Sequence, residues 1–148
     1  MSICLSVRGL NKLAQLEAFS AKPYQDTGGV WTIGYGHVIT RLQAITFASG
    51  ISIDTGQNWL RLDSLKALSV ISQKLPHIIL QHQIDALCFL VFNIGVQAFE
   101  NSTIYERLFN CACDLSPWLW YEFDDHHNPV LLRRREIEVK LFVYGIYD

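Results

Sequence analysis

Charge is scarce in this chain. Only 18% of its 148 residues are Asp, Glu, Lys or Arg, below the roughly 25% of an ordinary globular domain. The formal net charge is −2, so the field of the whole molecule gives no reason to expect tight non-specific binding to nucleic acid or to an anionic membrane. Long apolar runs are missing too. The most hydrophobic stretch, Ala86 to Phe99, covers 14 residues and is interrupted by Asn93 and Gln97, too short for the roughly 20 residues of a bilayer-spanning helix. Repeats, low-complexity tracts and Pro/Gly/Ser-rich linkers are absent, which excludes solenoids and marks no internal domain boundary. The opening residues meet Arg8 before any uninterrupted apolar core and lack a small-residue cleavage site, so no signal peptide is expected. Four cysteines (Cys4, Cys88, Cys111 and Cys113) remain. Without export they read as reduced thiols, with Cys88 a small core residue.

What the chain does have is core-forming material, 50% hydrophobic and 12% aromatic. A domain of about 150 residues buries roughly 70% of the surface its unfolded chain exposes, so one domain over 1–148 needs no covalent staples. Leu10, Leu13, Ala14, Leu16 and Phe19 recur at helical spacing, with Asn11 available as a cap, predicting a helix from Gly9 that ends near Glu17 to Phe19. From Pro23 the pattern turns extended and breaks at Gly28-Gly29, predicting a β-hairpin or small sheet between Tyr24 and Ile39. Asp54 followed by Gln57 suggests the start of a long amphipathic helix carrying Leu62, Leu65, Leu68, Ile71 and Leu75 up to Pro76. An apolar core helix is predicted over Ile79–Asn93, stopped by a left-handed cap at Gly95. Two more helices are predicted around Thr103–Cys111 and Leu131–Val143; the segment from Trp118 to His127 fits no pattern. The class is α+β, mostly α.

Chemistry concentrates between Glu17 and His37. Glu17 falls in the last turn of an apolar helix, a setting that favours the protonated form a general acid needs. Asp26 falls in a glycine-flanked turn, where a carboxylate stays solvated. Two carboxylates set apart by environment are the pattern of a glycosidase. Composition and spacing alone leave an equally concrete alternative, a solvated helix-end Glu and an ordinary turn Asp.

The run Glu17, Tyr24, Asp26, Gly29 and Thr32-Ile33-Gly34-Tyr35-Gly36-His37 resembles the active-site signature of the phage-type lysozymes, glycoside hydrolase family 24. The likeness continues through Leu60-Arg61-Leu62-Asp63, Gln83, Asp85-Ala86-Leu87, Phe92-Asn93-Ile94-Gly95, Ala98-Phe99, Ser102-Thr103 and Leu132-Arg133-Arg134-Arg135-Glu136-Ile137-Glu138. It covers roughly Leu13 to Phe142 in order. This resemblance implies a lysozyme-like fold with a small β-hairpin lobe (about 12–60) and a helical lobe (about 75–148), joined by the long helix, with a polysaccharide between them. It implies that Glu17 donates a proton to the leaving glycosidic oxygen while Asp26, with Thr32, holds a water on the opposite face, inverting the product. Such a site needs about 6.5–9.5 Å between its carboxyl groups.

The same resemblance places Asn93, Phe92, Val38 and Ser102 on cleft positions. End-capping is the lesser alternative for Asn93, and packing or capping suits the other three at least as well. It also suggests that Arg134 or Arg135 pairs with an active-site or lobe-bridging carboxylate, against a plain solvated helix surface. His37 reads as a structural histidine closing the hairpin. Arginines 133–135 point about 100° apart on a helix, so they form no nucleic-acid patch. Ala18 and Val130 stand where the family usually has Gly, and residues 111–129 diverge from it. A zinc site from Cys111, Cys113, His126 and His127 lacks the usual ligand spacing. The expected protein is a monomeric muramidase cutting bacterial peptidoglycan, with no cofactor or metal. Made in the cytoplasm, it reaches the periplasm or wall through a holin or a secretion machine. A lytic transglycosylase and a catalytically silent wall-binding module are the alternatives.

Overall fold

The computed structural model describes residues 3–119 and 128–148. They form an α+β fold, mostly helical, in two compact units. One runs from Leu10 to Ser64; the other joins the segment up to Gly9 to Leu65–Asp148.

Helix α1 spans Val7–Leu16, starting earlier than its apolar spacing suggests. The cap is Ser6, not Asn11: Ser6 Oγ accepts the Gly9 N–H at 2.8 Å, satisfying one of the donors that a helix start leaves open. In the Leu10–Ser64 unit, β1 (Ser20–Gln25), β2 (Trp31–Gly34) and β3 (His37–Val38) form a three-stranded antiparallel sheet in the order β1-β2-β3. Tyr24 and Val38 both pair with Thr32, and the β1 register shifts between Ser20 and Tyr24, a bulge that takes in Lys22 and Pro23. Ile33 of β2 enters a core with Ile39 and Ala44, ringed by Trp31, Phe47, Ile51 and Trp59. Ala44 comes from the short helix α2 (Arg41–Thr46), started by a capping box between Thr40 and Gln43.

The helix expected from Asp54 to Leu75 is two helices, α3 (Ile53–Asp63) and α4 (Leu65–Lys74). Ser52 caps α3 by accepting the Thr55 N–H. Buried Ser64 closes it, its Oγ donating back to the Arg61 carbonyl at 2.7 Å. A serine hydroxyl offered to its own helix backbone competes with the regular ladder.

In the other unit, α5 (Gln81–Ile94) is the core helix, with an unbroken buried run from Ile84 to Val91. It packs against α4 and α9 (Pro129–Tyr144). Gly95 ends α5 with φ 87° and ψ 156°, an extended conformation open to glycine alone rather than the left-handed helical cap the sequence suggests. Then follow α6 (Val96–Glu100), α7 (Thr103–Phe109) and the short α8 (Ser116–Leu119). Helix α9 begins with Asn128 as cap and Pro129 in its first turn, and ends at Gly145 with φ 69°, the common asymmetry of proline at the start and glycine at the end. Ala18 and Val130 are exposed, and neither has positive φ, so replacing the family's glycine strains neither position.

Candidate functional site

Glu17, Asp26 and Thr32 all belong to the Leu10–Ser64 unit. Glu17 closes the end of α1, its N–H bonded to the Leu13 carbonyl at 3.0 Å. It is half-buried. Asp26 is exposed in the turn between β1 and β2, where one carboxylate oxygen accepts N–H bonds from Gly28 at 2.9 Å and Val30 at 2.8 Å. Gly29, at φ 77°, allows the chain to reverse there. The second carboxylate oxygen keeps no protein partner among the described residues. Thr32 is buried, and its hydroxyl donates to the Val30 carbonyl at 3.1 Å.

Val30 is thus the common anchor. Its N–H holds the Asp26 carboxylate, its carbonyl takes the Thr32 hydroxyl, and that carbonyl also receives the Asp26 N–H at 3.0 Å. One residue thus fixes both the Asp26 carboxylate in the turn and the Thr32 hydroxyl on β2, the kind of preset geometry that positioning a water requires.

His37 sits at the start of β3. Its Nδ1 lies 2.8 Å from one Asp63 oxygen on α3, and its ring lies over Trp59 with centroids 4.7 Å apart. The imidazole therefore ties the hairpin to α3. The sequence offered Asp63 only as part of a motif, because a contact 26 positions away has no periodic signature. Val38 is exposed on β3.

The other unit holds a buried charged network. The three arginines of α9 part company: Arg133 is exposed and meets Glu136 at 3.7 Å, while Arg134 and Arg135 are buried. Glu138, fully buried, faces both, with Arg135 Nε at 3.0 Å and Arg134 Nε at 3.4 Å, and it accepts the Trp118 indole N–H at 3.0 Å. Burial pushes the Glu138 carboxyl up, while Arg135, Trp118 and Arg134 pull it back. Arg134 also donates to the Phe89 carbonyl, and Arg135 to Asn93 Oδ1. Asn93 is exposed, and with its oxygen taken by the guanidinium its NH₂ keeps no hydrogen-bond partner among the described residues. Phe92 is half-buried. The Ser102 hydroxyl is committed to capping α7, accepting the Tyr105 N–H at 3.1 Å and donating to Phe99 at 2.7 Å.

Sequence reading missed Glu138 and Trp118 as members of this network. The spacing of Glu138, three and four positions beyond the two arginines, was the available signal. Two residues of the zinc alternative, His126 and His127, lie outside the described residues, and among those described no cluster of three metal-ligating side chains occurs.

The chain belongs to the phage lysozyme family, which it matches over residues 14–138. It is accordingly a glycoside hydrolase of the lysozyme type, a membership that implies peptidoglycan hydrolysis. Among individual relatives, it is 32% identical to the endolysin of Salmonella phage P22 over 145 residues, covering 94% of this chain and 97% of that protein. It is 29% identical to the endolysin of Acyrthosiphon pisum secondary endosymbiont phage 1, covering 93% and 97%. The solved endolysin from Escherichia coli O157:H7 phage FAHEc1 superposes with a TM-score of 0.84, covering 100% of this chain and 98% of that one at 22% identity. That likeness establishes the lysozyme-like fold.

Proposed function

We propose that the chain is a muramidase that hydrolyses the bond between N-acetylmuramic acid and N-acetylglucosamine in bacterial peptidoglycan, with inversion. Glu17 is the general acid that protonates the leaving oxygen. Asp26 is the base, accepting a proton from water through the oxygen that its turn leaves free, and Thr32 orients that water. The observation that carries this reading is the double anchoring of Asp26 and Thr32 to Val30. Val38, Asn93 and Phe92 are the proposed glycan contacts, with the Asn93 NH₂ suited to a sugar acceptor, while the buried Ser102 hydroxyl serves the α7 cap. His37, Arg134 and Arg135 act as supports. On this reading the two units are the small and helical lobes of one lysozyme domain.

The test is Glu17→Gln on purified cell walls. Release of reducing sugar should fall by at least 10²-fold, the lower end for a lost general acid, with the fold intact by circular dichroism. Undiminished activity refutes the assignment. The first-formed anomer, read by NMR, decides inversion, and anhydro ends in the digest mark a transglycosylase instead. No described helix is long and apolar enough to cross a membrane. Passage to the wall through a holin-type hole or a secretion machine is part of the proposal, and lysis timing with and without a co-expressed holin tests it.

A further inference from the structure

A second feature of the Leu10–Ser64 unit lies apart from the catalytic residues. Between β1, β2 and α2 runs an open groove of about 440 Å³, lined by Lys22, Pro23, Trp31, Arg41, Ala44 and Ile45 among others. Successive residues of a strand face opposite sides of its sheet. Thr32 shares its rung with Tyr24 and Val38, so Trp31, one residue earlier, faces the other side, toward the core that Ala44 belongs to.

The groove is built from what the fold leaves unsatisfied. Ile45 is 69% exposed, which leaves most of a large apolar side chain in water. The β1 bulge carries Lys22 and Pro23 into the wall. Lys22 and Arg41 are exposed cations with no ion-pair partner among the described residues. A floor of indole, proline ring and aliphatic carbon beneath two unpaired cations complements a ligand that combines carboxylates with small apolar groups. A phosphodiester polymer has little to bury there, and a neutral sugar does not use the cations. The volume falls within the roughly 300–1,000 Å³ of small-ligand sites, suiting a short segment rather than a folded partner.

We infer that this groove binds the short carboxylate-bearing, alanine-containing peptides that peptidoglycan glycan strands carry, an assignment that rests on the muramidase reading above. The peptide's carboxylates meet Lys22 and Arg41, and its methyl groups lie against Trp31, Ala44 and Ile45. The enzyme thereby holds the wall by its peptide as well as cutting its glycan, despite a net charge that offers no attraction.

The experiment compares two substrates: intact peptidoglycan, and glycan strands stripped of peptide by an amidase. The double variant Lys22→Glu/Arg41→Glu should raise KM on intact wall about fivefold at low salt, the size expected for two exposed charge contacts, and leave kcat alone. It should cut stripped glycan at the wild-type rate. The control Lys66→Glu/Lys140→Glu changes net charge equally and should show no such preference between substrates. Free stem tetrapeptide added to the wild-type protein should shift the Trp31 indole N–H resonance, and fail to do so in the double variant. Equal losses on both substrates, equal behaviour of the control, or peptide shifts confined to other residues would overturn the inference. Wild-type protein that releases no reducing sugar from intact peptidoglycan would refute the muramidase reading instead, and the peptide titration would still decide the groove.

Discussion

Gly9→Ala tests the packing argument most sharply, because two effects of known size oppose each other. Gly9 lies inside α1, where alanine is the better helix former by about 0.8–1.0 kcal/mol. A Cβ there would lie 2.5 Å from both Cγ and Oδ2 of Asp85 and 2.9 Å from Oδ1. Asp85 cannot easily yield. Its carboxylate is fully buried and accepts from the Ser6 N–H at 3.0 Å, the Ser6 hydroxyl, Gln81 Nε2 at 2.9 Å and the Tyr147 hydroxyl at 2.6 Å. Overpacking costs about 1–3 kcal/mol, and one displaced hydrogen bond to a charged group about 1.5–3 kcal/mol more. Set against the propensity gain, Gly9→Ala should destabilise the protein by about 1.5–5 kcal/mol. Urea denaturation reads this as a lower midpoint at unchanged slope. The decisive comparison is the same substitution in an Asp85→Ala background. With the carboxylate gone, only propensity remains, and Gly9→Ala should become stabilising by up to about 1 kcal/mol. Stabilisation in the wild-type background, or equal destabilisation in both, would refute the reasoning.

Other predictions use the same groups and their neighbours. The Tyr147 hydroxyl is held above its ordinary ionisation range by burial and by its bond to Asp85, so its contribution is fully present below the unfolded-state value near pH 10. That contribution is lost as pH rises through the higher folded value. Alkaline unfolding should therefore show one fewer linked proton in Tyr147→Phe. Gly95→Ala meets no atom within 4 Å of the new Cβ, yet φ is +87°, so strain alone should cost about 1–3 kcal/mol in thermal unfolding. Glu138→Ala removes the carboxylate facing two buried guanidiniums and should cost about 3–5 kcal/mol. Exposed Glu136→Ala, on the same helix, should stay within about 1 kcal/mol, and equal losses from the two would contradict the burial argument.

The legibility of this chain followed the range of the interaction concerned. Periodicity located α1, α5, α7 and α9, and the extended pattern around Gly28-Gly29 located the sheet, because helix and strand propensities act over a few neighbours. Boundaries were less legible. The cap of α1 moved from Asn11 to Ser6, whose suitability depends on a buried Asp85 79 positions away. The break at Ser64 escaped notice because the apolar face runs on through Leu65 and Leu68. Of the candidate site, the turn that holds Asp26 and the strand that holds Thr32 were readable, since both are local structures. Their shared anchor at Val30 was not, because it depends on the geometry of the turn itself.

By itself the sequence determined the fold class, the family and the order of the catalytic candidates, all of which reside in residue types at fixed spacings along the chain. Tertiary structure alone decided what each polar side chain meets. It paired His37 with Asp63, buried Arg134 and Arg135 around Glu138 while leaving Arg133 in water, and turned the oxygen of Asn93 toward an arginine 42 positions away. It also left Lys22 and Arg41 unpaired above an apolar groove. The reason is physical: propensity and periodicity are summed over a turn or two of chain, whereas desolvation and ion pairing depend on which distant segments exclude water from a group.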